Sequence, residues 1–177
     1  MPEITRNKAI EATHILNDLI GDFVVAVVTL KDYQKRLGGK AEWANGLVAA
    51  NKMCLSFIVL GFDKWIEFFG HYHRLFDGEL HANCKTLTKT FRNRGVTKFR
   101  NKCIGHVLDN KTKKPLFPSD VNQSLQKIIG EDLGAFLNWV HNIDGDQYPE
   151  TVASIVEEAR NYLAEEYDIP HKEIMSK

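Results

Sequence analysis

LVAANKMCLSFIVLGFDKWIEFF, residues 47–69, repeats its apolar side chains every three to four positions. Leu47, Val48, Leu55, Ile58, Val59, Phe62, Trp65, Ile66 and Phe69 give a face wider than the stripe of a helix that covers one side of a core. The pattern predicts a central core helix over 41–69, ended by Gly70. Gly46 and Gly61 lie inside it and mark a kink or a close approach of a second helix. Asn51, Lys52, Asp63, Lys64 and Glu67 interrupt the apolar region, so it is not expected to span a bilayer.

Upstream, Ile10, Ile15, Leu16, Leu19, Ile20, Phe23, Val24, Val27, Val28 and Leu30 keep the same period and predict a helix over 5–37, stopped by Gly38-Gly39. Valine would also suit a strand over 23–30, but the flanks are helical in period and no turn residues bound the run. Downstream, 71–78 reads as a connector, 79–94 as a third helix with Leu80, Cys84, Leu87 and Phe91 inward, and 96–107 as a fourth. Residues 109–119, DNKTKKPLFPS, read as an exposed basic loop. Ser119 or Asp120 is expected to cap a fifth helix, with Val121, Leu125, Ile128 and Ile129 inward. A sixth segment covers 131–143, and a last helix covers about 150–167, with Pro149 in its first turn and Glu157, Glu158, Glu165 and Glu166 on a solvated face.

No repeat period and no hairpin turn between alternating strands are present. The expected fold is an all-α, single-domain bundle of about six to seven helices, with a core over about 5–143 and an acidic C-terminal helix over about 149–167. A chain of 177 residues, 44% hydrophobic and 26% charged, is sufficient for one such core. The N-terminus lacks the apolar run of a signal peptide. Cys54, Cys84 and Cys103 form an odd set with no CxxC, which fits a reducing compartment and a cytoplasmic location. Trp43, Trp65 and Trp139 sit on apolar faces and are expected in the core.

Formal net charge is +0, so attraction to a polyanion has to come from a local patch. Residues 85–114, KTLTKTFRNRGVTKFRNKCIGHVLDNKTKK, supply one: ten Lys and Arg residues stand against a single acid, Asp109. Within it, Arg100 and Asn101 precede His106 in a helical context. Histidine exchanges a proton near neutrality and a guanidinium matches a phosphate's oxygens, so the pair suits phosphate chemistry. The alternative is structural, with Arg100 a solvated helix residue and His106 a cation favoured at a helix C-terminus.

Arg100-Asn101-Lys102-Cys103-Ile104-Gly105-His106 resembles the polar motif of the HEPN superfamily, an Arg, often followed by Asn, His or Asp, four to six residues before a His on a late core helix. The resemblance implies an α-helical domain that acts as a metal-independent ribonuclease in toxin–antitoxin, abortive-infection or CRISPR systems, or that has lost catalysis and binds nucleic acid or nucleotide. It makes Arg100 and His106 the catalytic pair and Asn101 the supporting residue, needs no cofactor, and allows an antitoxin partner protein. Leu108 stands where many toxin members carry a Tyr, so modification at that position is not implied.

RNA carries its own nucleophile in the 2′-OH. On a regular helix Arg100 and His106 are about 120° apart around the axis and about 9 Å apart along it. A two-fold homodimer that pairs these helices would gather two Arg and two His in one cleft. Arg92, Arg94, Lys98 and Lys102 are the candidate substrate-binding cations. Substituting Arg100 or His106 should end cleavage and leave melting unchanged. A separate metal set, His73, Asp77 and His81, has i, i+4, i+8 spacing suited to Zn or Fe, although Gly78 interrupts the helix it requires. No nucleotide-binding glycine loop, GxSxG or Cys–His protease pattern occurs.

Overall fold

The computed structural model describes residues 3–37, 44–101, 118–170 and 172–173. Seven α-helices are formed among them, α1 (Glu3–Leu37), α2 (Ala44–Tyr72), α3 (Gly78–Asn93), α4 (Val96–Phe99), α5 (Pro118–Ile129), α6 (Leu133–Val140) and α7 (Val152–Glu166), with a 3-10 turn at His73–Leu75 and no strand. The all-α expectation holds.

The two long helices pack along each other, and α7 lies against both α1 and α3. The apolar period explains the pairing: Leu16, Leu19, Phe23, Val27 and Leu30 on α1 are buried against Ile58, Val59, Phe62 and Trp65 on α2. Phe62 is the hub, with its ring 4.1 Å from that of Phe91, 5.6 Å from Phe23, 6.1 Å from Phe136 and 5.8 Å from Trp139. Val152, Ile155, Val156, Ala159 and Leu163 of α7 join the same core, so the acidic helix is part of the bundle and only its outer face is solvated. Trp65 is fully buried and still satisfies its indole N–H, which donates to Thr88 Oγ1 at 3.0 Å. Trp139 is partly buried against the core, and Trp43 lies outside the described residues.

At Gly61 the ring of Phe23 on α1 packs against the backbone of α2. A Cβ built there would lie 2.5 Å from Cε1 of Phe23, a buried ring with no room to retreat. Gly61→Ala is therefore expected to destabilise the fold by about 1–3 kcal/mol, although alanine is the better helix former, as read by urea denaturation. A neutral or stabilising result would show that the helices can part.

Several boundaries differ from expectation. Gly70 does not end α2, because Trp65, Phe68, Phe69 and Tyr72 stack along the helix across it: Phe68 and Tyr72 lie 5.1 Å apart, Trp65 and Phe69 6.3 Å. Ser119 and Asp120 fall inside α5, whose described part already includes Pro118. The sixth helix is shorter than expected, capped by Asp132, whose side chain accepts from the Ala135 N–H at 2.9 Å. Pro149 precedes the last helix and is not part of it; Thr151 caps α7 in a reciprocal box with Ser154. Val48, expected on the buried face, is 65% exposed.

By length and composition α1 and α2 could each cross a bilayer. In the bundle the buried residues of the two helices pack on one another, Val25, Val28, Met53 and Phe57 stay exposed, and Lys64 on α2 pairs with Asp22 on α1 at 2.8 Å. Core helices of a soluble protein have this same composition, and the arrangement is compatible with one.

Candidate functional site

Gly95 sets the site by turning the chain between α3 and α4. Its φ of 79° is left-handed, a conformation glycine adopts without steric cost. Phe91 before the turn and Val96 and Phe99 after it are buried, which fixes the two helices against the core. The basic stretch is consequently divided. Lys85, Lys89 and Arg92 share one exposed face of α3, while Arg94 lies about 180° around the axis from Lys85. Lys98 is exposed on α4, and Arg100 turns towards α2.

Arg100 meets a partner that the sequence pattern did not single out. Its Nε donates to Asp63 Oδ2 at 2.8 Å, its Nη2 forms an ion pair with the same oxygen at 2.8 Å, and its Nη1 donates to Asn101 Oδ1 at 2.8 Å. Asp63 is 7% exposed, whereas the Arg100 side chain is 43% exposed. A carboxylate in that position requires a cation. The arginine is thus oriented by Asp63 and Asn101 while much of its side chain stays exposed. Arg100 and Asn101 continue α4 in a wider π-type turn, and Asn101 is exposed. The one signal for Asp63 in the sequence is an acid directly after Phe62, within the apolar period of a core helix.

This ion pair alters one expectation. Removing Arg100 strands a buried carboxylate, so Arg100→Ala is expected to lower melting as well as activity. His106 and Lys102, with Cys103 and Leu108, lie outside the described residues.

Of the other proposed substrate contacts, Arg92 and Lys98 are exposed and have no acidic partner among the described residues. Arg94 is only partly exposed. Its Nη1 donates to the Ile128 carbonyl, its guanidinium lies 4.4 Å from the Trp139 ring centre, and burial pulls its pKa below the usual arginine value. It is a positioned cation as well as a surface one.

The metal alternative fails on geometry. Phe76 is extended, as is Asp77 before α3, and Gly78 has a φ of 52°, so the three residues share no continuous helix. His73 and His81 have ring centres 6.4 Å apart, His73 Nδ1 faces the Phe69 carbonyl at 3.2 Å, and Asp77 Oδ1 accepts from the Tyr162 hydroxyl at 3.0 Å. Among the described residues no three His, Cys, Asp or Glu side chains are grouped to hold a metal. Cys54 and Cys84 are free and buried, and burial pushes the Cys84 thiol up to about 12. Neither is a ready nucleophile.

No protein-family model and no curated protein matches this sequence. Among solved structures, the chain is similar to an integron cassette protein from the mobile metagenome of V. paracholerae, at 26% identity and a TM-score of 0.75, over 89% of this chain and 96% of that one. The likeness is one of overall helical architecture, spanning both proteins almost end to end.

Proposed function

We propose that this protein is a metal-independent endoribonuclease of HEPN type, cytoplasmic, acting in a cleft between the subunits of a homodimer. The observation that carries the reading is the half-exposed Arg100 guanidinium, oriented by Asp63 and Asn101. A cation held this way can stabilise a phosphorane without first reorganising. His106, six residues on in the sequence, supplies the proton transfers: one imidazole takes the proton of the 2′-OH, and the imidazolium of the second copy protonates the departing 5′-oxygen. The 2′-oxygen forms its bond to phosphorus as the phosphorus–5′-oxygen bond breaks. No cofactor takes part, and a toxin-type enzyme of this kind would be held inactive by an antitoxin partner.

A second reading is a noncatalytic nucleic-acid-binding or nucleotide-binding module. It is favoured by the same ion pair, because Asp63 offsets part of the Arg100 charge. Incubation with an oligoribonucleotide and its 2′-deoxy counterpart in EDTA separates the two. Cleavage of the RNA alone is expected, and salt-dependent binding with neither strand cut would establish the second reading.

A further inference from the structure

A concavity of about 130 Å³ opens where the α3–α4 turn meets α5 and is lined by Arg94, Gly95, Lys98, Phe99, Ser124 and Lys127, with neither Asp63 nor Arg100 among these residues. Three cations face one small space. No carboxylate is among these lining residues, and none of the three cations forms an ion pair with an acid among the described residues. Like charges brought together without a counter-charge repel, and a concave surface of one sign concentrates its field on whatever anion enters.

The parts are suited to a phosphoryl group. Arg94 is held in place by the Ile128 carbonyl and the Trp139 ring, so its planar fork is set before a ligand arrives. Lys98 and Lys127 supply mobile point charges, Ser124 a hydroxyl donor, and Phe99 an apolar floor. At roughly 30 Å³ per water, the space accommodates about four waters, the scale of a tetrahedral oxyanion.

We infer that Arg94, Lys98, Ser124 and Lys127 form a binding site for a phosphoryl group, distinct from the Arg100 site. It deepens the nucleic-acid reading by naming where a phosphate beyond the reacting linkage is held, and it rests on that reading only for the identity of the phosphate's carrier. Lys127 and Ser124 come from α5, outside the basic stretch that drew attention in the sequence.

The test uses Lys98→Ala/Lys127→Ala in the full chain, leaving Arg94 in its structural contacts, with circular dichroism and melting to confirm the fold. Inorganic phosphate is titrated by tryptophan fluorescence, since Trp139 lies under Arg94. A single-stranded oligoribonucleotide, with and without a 5′-phosphate, is titrated by anisotropy across a salt series. If the site holds backbone phosphodiesters, the slope of log K against log salt becomes shallower by about 1.4 in the double variant, at about 0.7 per lost contact, whichever 5′ end is present. If it holds a monoester, phosphate quenching and the affinity advantage of the 5′-phosphorylated strand are lost together. Either result supports the site. Unchanged phosphate titrations and unchanged slopes in a folded double variant would overturn it. Cleavage is a separate readout: Arg100→Ala in the ribonuclease assay leaves the salt slope of this site in place, so failure of one reading does not carry the other with it.

Discussion

Phe62→Ala is expected to destabilise the bundle by about 3–5 kcal/mol. The side chain has no exposure, and its ring meets aromatic rings from α1, α3 and α6 at once, through Phe23, Phe91, and the pair Phe136 and Trp139. Truncation removes the transfer free energy of the ring and leaves a cavity whose walls are other rings, each fixed by its own helix. Against a total stability of about 5–15 kcal/mol, that loss is a large share of the whole. Urea denaturation measures it directly, and Phe62→Leu, which refills part of the space, should lose less. A cost below about 1 kcal/mol for the alanine variant would mean that the helices do not converge on this residue.

The second large effect is on cleavage. Loss of a preorganised donor at developing phosphate charge costs on the order of 10²–10³ in rate, so Arg100→Ala and His106→Ala should each lower RNA cleavage by at least that factor. Arg100→Ala leaves the Asp63 carboxylate buried without its cation and should melt earlier. Asp63→Asn/Arg100→Gln replaces the ion pair by a neutral hydrogen-bonded pair; it should recover melting and remain inactive, which separates the chemical role of the guanidinium from its structural one. A recovered melting temperature together with recovered cleavage would assign the chemistry elsewhere.

The helical architecture was readable because burial on one face forces a three-to-four period, and that period runs through α1, α2, α3 and α7. Helix ends were read less well. Gly70 looked like a stop, but aromatic stacking on both sides of it keeps α2 helical through Tyr72, and tertiary packing overrides a local breaker. Val48 followed the apolar period and still faces outward, since a periodic pattern marks a face without saying which positions near a helix end find a partner.

The site was legible as a motif but not as a set of contacts. Asp63 and Arg100 stand 37 residues apart in the chain, and only the packing of α4 on α2 brings them together. The concentration of charge over 85–114 was also visible, yet the left-handed turn at Gly95 sends its members to separate surfaces: Lys85, Lys89 and Arg92 to the outer face of α3, Arg94 and Lys98 to α5, and Arg100 to α2. The described members of one linear cluster fall into three local environments. The His73, Asp77 and His81 spacing fails for the converse reason, because regular spacing aligns ligands only where the helix is unbroken.

The central claim, that an RNA linkage is broken by its own 2′-oxygen without a metal ion, is tested most directly by the ends of the products. Mass spectrometry of an oligoribonucleotide cut by the protein in EDTA should find 2′,3′-cyclic phosphate on one fragment and a free 5′-hydroxyl on the other, and none of either with His106→Ala. Fragments ending in 3′-hydroxyl and 5′-phosphate, or cleavage that stops in EDTA and returns with a divalent ion, would contradict it.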